Sequence, residues 1–315
     1  MSKSILDAKV FHDEAAAYRF VEERVWPEGP VCPHCGSTKE HVGKLKGKST
    51  RVGTYKCYGC RKPFTVKIGT IFEASHVKMN LWLQAIYLMC SSKKGISSNQ
   101  LHRTLGVTLK TAWFMSHRIR EAMKVDPSEG PLGGEGQVVE ADETLLGPGR
   151  AIFKTGRGWV GESGTGGKIK VLTLVERNGR ARSMKAEHIT AKQAREFITQ
   201  NADAASRLVT DEARMYPRIG KAFASHETVN HSMKEYARGD VTTNTVEGYF
   251  SVFKRGMRGT YQHCGENHLQ RYLAEFDFRY SNRVGLGVDD VERTKRAISG
   301  IVGKRLTYET TRKGA

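Results

Sequence analysis

The sequence predicts an α/β protein, with a domain on a mixed β-sheet preceded by a small cysteine-rich module and two helices joined by a glycine turn. Three observations carry this expectation. Residues 137–257 run strand, hairpin, helix, strand, helix, an α/β order with mixed strand directions. Residues 31–68 are rich in Gly, Lys and Cys and lack helical periodicity, as where a ligated metal substitutes for a hydrophobic core. Residues 97–123 read as a short helix, a Gly106-Val107 turn and a longer basic helix, the pattern of a helix-turn-helix unit.

In chain order, Ala17, Phe20, Val21 and Val25 recur at helical spacing within 13–26, and Pro27 and Pro30 end that helix. A strongly apolar helix follows at 81–90, then the helical pair. Residues 126–136, dense in Gly and Pro, form a linker. Beyond it, 137–140 is a strand ending in Ala141-Asp142, and 147–167 is a glycine-rich basic loop with Arg150, Lys154 and Arg157. Strands at 169–176 and 181–187 are joined across Arg177-Asn178-Gly179-Arg180, where Asn-Gly favours a tight hairpin. A helix at 190–200, a strand at 207–210 ending at Asp211, and a helix at 242–257 complete the domain. The expected divisions are 1–70 (helix and cysteine module), 71–130 (helical pair), 135–283 (sheet domain) and a tail, 284–315.

Lys and Arg number 51 against 33 Asp and Glu, a formal charge of +18, which calls for a polyanionic partner. Nucleic acid or an anionic membrane would serve. No stretch reaches the roughly 18 to 20 apolar residues of a membrane span, and the first residues lack a signal-peptide apolar run. A soluble cytoplasmic protein is expected, its six cysteines reduced or metal-bound.

Cys32-Pro-His-Cys35 and Cys57-Tyr-Gly-Cys60 stand 21 residues apart, a spacing by which two knuckles place four thiolates around one tetrahedral zinc. Cys90 and Cys264 fit no such pattern and read as buried thiols. Nine basic residues (Lys39, Lys44, Lys46, Lys48, Arg51, Lys56, Arg61, Lys62 and Lys67) face a single acid, Glu40, across the same stretch, which suits phosphate contact. In the helical pair, Ser97 and Thr108 stand at N-cap positions and Leu101, Leu105, Val107, Ala112 and Ile119 form the seam. Lys110, Thr111, Trp113, His117, Arg118 and Arg120 would then be available to DNA.

Two-metal phosphoryl transfer on DNA needs several carboxylates grouped about two Mg²⁺ ions. Asp142 and Asp211 both follow predicted strands, where α/β sites form. Thirty-five residues separate Asp211 from Glu247, and Lys254 follows by seven. Asn244, Glu247, Ser251 and Lys254 share one helix face, which would point at the metals with Lys254 toward DNA.

At these residues the sequence resembles the ISXO-like insertion-sequence transposases over nearly its whole length. The likeness rests on Cys32-Pro-His-Cys35-Gly-Ser, Cys57-Tyr-Gly-Cys60, Gly69-Thr-Ile-Phe, Glu140-Ala-Asp-Glu-Thr, Thr210-Asp-Glu, Val229-Asn-His-Ser, Thr243-Asn-Thr-Val-Glu-Gly-Tyr-Phe, Lys254-Arg-Gly-Met-Arg-Gly-Thr-Tyr and Phe276-Asp-Phe-Arg-Tyr-Ser-Asn-Arg. It implies an RNase H-like catalytic domain with Asp142 and Asp211 as metal-binding acids and Lys254 as the basic residue after the third ligand. Either Asn244 or Glu247 can fill that third position. Glu247 is favoured because a carboxylate binds Mg²⁺ better than an amide. The resemblance further implies structural zinc, two catalytic Mg²⁺ or Mn²⁺ ions, terminal inverted repeats and target DNA as partners, a homo-oligomeric synaptic complex, and a cytoplasmic, nucleoid-associated protein.

Two tempting motifs fail. Gly161 to Ile169 imitates a phosphate loop, but Glu162 occupies a glycine position and Ile169 replaces the Mg²⁺-holding hydroxyl. His263, Cys264 and His268 lack a fourth ligand for a second metal site. Two rivals remain: a DNA-binding regulator without catalysis, which would not use the carboxylates, and a nuclease, which would cut without joining strands.

Overall fold

The computed structural model describes residues 4–126, 128–147, 153–155, 158–160, 168–186, 189–262 and 264–307. It divides into two compact units, Met1–Lys124 with Asp290–Ala315, and Val125–Asp289.

The first unit opens on helix α1 (Glu14–Val25), capped by Asp13, whose carboxylate accepts the Ala16 N–H at 2.8 Å. A three-stranded antiparallel sheet follows, β1 (Val42–Lys44), β2 (Tyr55–Cys57) and β3 (Pro63–Phe64). Trp26, Tyr55 and Phe64 pack ring on ring beside Cys32 and Cys57, a core of few side chains. Apolar α2 (Met79–Ser91) buries Trp82, Leu83, Ile86 and Met89. The helical pair is α3 (Ser98–Leu105) and α4 (Leu109–Ala122). Ser97 and Thr108 cap them as the sequence predicts, accepting the N–H groups of Gln100 and Thr111, and Gly106 ends α3 at φ +66°, a left-handed turn that glycine adopts without strain.

One expectation for this pair is overturned. His117, Arg118 and Arg120 are buried, and Arg118 donates to the carbonyls of Ile71 and Glu73 at 2.8 and 2.7 Å while Arg120 donates to the Ser116 hydroxyl. The last turns of α4 face the core of the unit, so their cations satisfy backbone carbonyls and hydroxyls rather than meeting a groove. Lys110 remains exposed, with Thr111 and Trp113 half-buried.

The second unit is a five-stranded mixed sheet. Its strands are β4 (Val138–Leu146), β7 (Ile169–Glu176), β8 (Ala181–Ala186), β9 (Arg207–Thr210) and β10 (Ser225–Thr228), ordered β10-β9-β4-β7-β8, with the short hairpin β5 (Phe153–Thr155) and β6 (Gly158–Val160) between β4 and β7. Pairing is antiparallel from β8 through β7 to β4 and parallel from β4 through β9 to β10. Those directions and that order make an RNase H-like sheet. Asn178, at φ +55°, turns the β7–β8 hairpin where Asn-Gly predicts it. The 161–167 part of the phosphate-loop look-alike, most of the basic loop around Arg150 and Arg157, and His263 lie outside the described residues.

Both sheet faces are covered. Leu172 and Leu174 point toward Ala194, Ile198, Tyr216 and Ile219 of α5 (Ala191–Asn201) and α6 (Tyr216–Gly220). Val171 and Val175, offset by one residue, point the other way, onto Tyr249, Phe253 and Phe276 of α7 (Asn244–Gly256) and α8 (Leu269–Ser281). The ribbon β11 (Ala237–Arg238) and β12 (Val241–Thr242) leads into α7. The stretch expected to be a tail contains a helix. Asp290–Ser299 forms α9, which packs on α2 in the first unit, where Arg293 donates to the Cys90 carbonyl at 2.9 Å. Its periodic Ala297 and Ile298 are buried, which a reading of charge density alone overlooks.

Candidate active site and metal centre

Asp142 does not end its strand: β4 runs on to Leu146, because β7 continues to pair with it from Glu176 to Ile169. The parallel partner stops first. β9 pairs with β4 only through Ala141 and Thr210, so Asp142 and Asp211 are the next residues on two adjacent parallel strands. Each is anchored locally, Asp142 by the Glu143 N–H at 2.7 Å and Asp211 by the Ala213 N–H at 3.0 Å. Neither has an ion pair among the described residues.

Glu247 approaches from α7. With Asp142 it lines an open cleft of about 480 Å³, together with Ser251 and Lys254 one and two turns along the helix, and with Glu143, Thr144, Phe250, His231 and Tyr236. Asn244 is exposed at the first helical position and is not part of this lining. The Glu247 carboxylate accepts the Thr243 hydroxyl at 2.9 Å and faces His231 Nε2 at 3.6 Å. Lys254 is half-buried and has no acidic partner among the described residues. The predicted face therefore divides: Glu247, Ser251 and Lys254 reach the cleft, and Asn244 sits beyond its edge.

Burial, then the negative charges of Asp211, Glu143 and Glu247, push Asp142 up to about 7. Burial likewise raises Asp211 and Glu143, the latter although the Tyr216 hydroxyl donates to it at 2.5 Å. Lys254 and His231 line the same cleft but do not cancel the repulsion that holds Asp142 up, and a divalent cation fits as a further partner for these acids. The donor set, hard oxygens only, is that of Mg²⁺ or Mn²⁺.

Sequence reasoning missed the residue that aims α7. Glu140, fully buried on β4 two residues before Asp142, accepts the backbone N–H groups of Thr245 and Val246 at 2.8 and 3.0 Å, the Thr245 hydroxyl, and Arg177 Nε at 2.7 Å. A carboxylate at a helix N-terminus satisfies orphan donors and complements the helix dipole. One strand thus carries both Asp142 and the cap that fixes the helix bearing Glu247. Its only sequence signal is an acid amid the apolar residues of a strand. Removing it strands Arg177 and two amides, so Glu140→Ala is expected to cost about 3–5 kcal/mol, read as a lowered urea midpoint. A midpoint unchanged from the parent would show the cap to be dispensable.

In the first unit the four sulfurs of Cys32, Cys35, Cys57 and Cys60 lie within 4.8 Å of one another. Among the described residues this is the one group of three or more metal-ligating side chains drawn so close. The Cys32–Cys60 and Cys35–Cys57 separations are 3.7 and 3.6 Å. Tetrahedral zinc with ligands at about 2.3 Å requires sulfur–sulfur edges of about 3.8 Å, so the cage fits that ion. The Ser37 hydroxyl and N–H hold the Cys35 thiol down to about 6.

Residues 131–281 match the ISXO2-like transposase domain, and residues 12–63 match the transposase zinc-ribbon domain. The chain therefore carries an ISXO2-like transposase domain behind a transposase zinc-ribbon domain. In this transposase the acids fall within the first match and all four cysteines within the second. It is 27% identical to an uncharacterized protein in transposable element ISH50 of Halobacterium salinarum, over 87% of this chain and 93% of that one. Among solved structures it is similar to a pre-cleavage Mos1 transpososome (12% identity, TM-score 0.27, 69% of this chain and 73% of that one). A Mos1 strand transfer complex is similar to the same degree (14% identity, TM-score 0.27, 69% and 72%). At those TM-scores the folds do not superpose residue by residue. Among the described residues no helix is long and apolar enough to cross a membrane.

Proposed function

We propose that this transposase binds the terminal inverted repeats of an insertion sequence and catalyses Mg²⁺- or Mn²⁺-dependent 3′-end cleavage followed by strand transfer into target DNA. The observation that carries the reading is the placement of Asp142 and Asp211 side by side on parallel strands, with Glu247 and Lys254 on the helix that shares a cleft with Asp142. Asp142, Asp211 and Glu247 would hold two divalent ions. Such ions activate the attacking oxygen and stabilise the leaving one. Lys254 binds a phosphate oxygen of the DNA, and Thr243 and His231 hold the Glu247 carboxylate in place. Glu140 keeps α7 in register with the strands.

The four cysteines hold one structural zinc and so shape the ribbon. Its exposed face, Lys39, Lys46, Lys48, Arg51, Arg61 and Lys62, meets DNA phosphates, while Lys44 pairs with Glu22 at 3.1 Å and Lys67 turns inward to the carbonyls of Ser75 and Val77. The α3–α4 pair contributes Arg103 and Lys110, both exposed. Two element ends must be held for joining, so the working form is a homo-oligomer on double-stranded DNA, in the cytoplasm and at the nucleoid.

Incubating the zinc-loaded protein with DNA carrying the element's ends, with or without added Mg²⁺, tests the reading. Joined products that need Mg²⁺ are expected. Cleaved ends that never join would make it a nuclease, and binding without cleavage a regulator. Neutralising Lys46, Lys48, Arg61 and Lys62 to Gln is expected to weaken binding and to flatten its log–log salt dependence by roughly 0.9 for each phosphate no longer neutralised. An unaltered slope would mean that this face is merely solvated.

A further inference from the structure

The turn between β10 and β11 displays two large side chains to solvent, one of which, Tyr236, lines the cleft. Met233 is 78% exposed and Tyr236 62% exposed. The turn does not need them to hold its shape. The Glu212 carboxylate accepts the N–H groups of His231 and Ser232, both at 3.0 Å, and the Ser232 hydroxyl at 2.6 Å. Asn230 accepts the Met233 N–H, and Glu235 accepts that of Asn230. A rigid turn that leaves apolar side chains in water forgoes the burial that would stabilise it, and so keeps them ready for a partner.

The partner's chemistry follows from what surrounds the ring. Tyr236 tilts against the His231 imidazole, with centroids 5.5 Å apart, and both rings line the cleft that holds Asp142, Glu247 and Lys254. Lys254 offers an uncommitted cation for a phosphate, and Lys234 and Arg238 stand exposed on the same turn and ribbon. A planar apolar surface one side chain from a phosphate-binding cation suits a ligand that presents a flat face next to a phosphate. Nucleic acid does so. In a duplex, however, each base face is covered by its neighbours, so only an unpaired base can lie on the ring.

We propose that Tyr236, backed by His231, is a stacking platform for one unpaired nucleobase of the DNA strand held in the cleft. The proposal rests on the DNA-processing reading above and adds to it: the enzyme engages DNA that is locally opened beside the acids. The base lies flat on the phenol ring and its own phosphate turns toward Lys254.

The test uses the full zinc-loaded chain without added Mg²⁺ or Mn²⁺, so that nothing is cut, with a blunt duplex and the same duplex carrying a short single-stranded fork with 5-iododeoxyuridine. The fork is expected to bind about tenfold more tightly, the usual scale of one base on one aromatic ring. Light should cross-link the iodinated base to Tyr236. Tyr236→Ala should bind both DNAs as the parent binds the blunt one, and Tyr236→Phe should keep the preference, because the ring and not the hydroxyl does the stacking. A fork preference intact in Tyr236→Ala, or a cross-link mapped to another element, overturns the platform while leaving DNA binding standing. Failure of the parent to bind either DNA overturns the DNA-processing reading and the platform with it.

Discussion

Asp142→Asn, Asp211→Asn and Glu247→Ala are each expected to lower DNA cleavage and strand transfer by roughly a thousandfold or more while leaving DNA affinity within a few-fold of the parent. The asymmetry has a physical cause. On the proposed reading, charge that develops at the phosphate during displacement would be stabilised by ions that these carboxylates hold, whereas the duplex would be held by cations on the ribbon and on α3 and α4. Asn244→Ala, exposed and away from the cleft lining, is expected to retain strand transfer. If Asn244→Ala is dead and Glu247→Ala active, the third ligand is the amide and the cleft geometry has misled us.

A readout free of turnover comes from the acidity of Asp142. Its carboxyl sits near 7 in the folded chain against 3.8 in an unfolded one. The native state therefore holds a proton that the unfolded state has lost between those values, and without metal the stability falls as pH rises from about 4 to about 7. Divalent ions replace that proton. Mg²⁺ should thus raise the melting temperature more at pH 8 than at pH 5, and Asp142→Asn should erase the difference. Equal Mg²⁺ shifts at both pH values, or in both proteins, would remove the acids from the metal site.

Local chemistry made much of this molecule legible in its sequence. Capping residues, a glycine at a left-handed turn and an Asn-Gly hairpin act over four or five residues, so Ser97, Thr108, Gly106 and Asn178 stand where the pattern places them. The same hairpin turn marked β7, whose odd and even residues feed two different cores. What failed to show was non-local. Asp142 and Glu143 read as a strand end because acids disfavour strands, yet β7 pairs past them. Arg118 and Arg120 read as DNA contacts because a basic helix after a glycine turn invites it, and only the fold reveals that they face Ile71, Glu73 and Ser116. The same holds for Glu140 and His231: each is an ordinary polar residue until α7 and the β10–β11 turn bring it partners distant in the chain. Helix α9, far beyond α2 in sequence, had no local reason to be assigned to the first unit.

Stripping zinc from the ribbon should unfold it and, with it, most of the DNA affinity. The three strands of that module contribute two or three residues each, and its interior is little more than Trp26, Tyr55, Phe64 and the ligand cysteines themselves. So few apolar side chains do not offset the conformational entropy of ordering some forty residues, at about 1–2 kcal/mol each. Zinc held by four thiolates supplies an apparent 10–16 kcal/mol at neutral pH, enough to decide the balance. Metal analysis of the purified protein is expected to find one zinc per chain. Changing Cys32, Cys35, Cys57 and Cys60 together to Ser should remove it and abolish hydrogen-exchange protection in β1 to β3. Amides of the sheet domain around Asp142 should keep theirs, because that core has its own aromatic and aliphatic packing on both faces of the sheet. A purified chain without zinc, or a four-serine variant whose ribbon amides stay protected, would show that the thiols are packed for another reason and that the aromatic cluster alone folds the module.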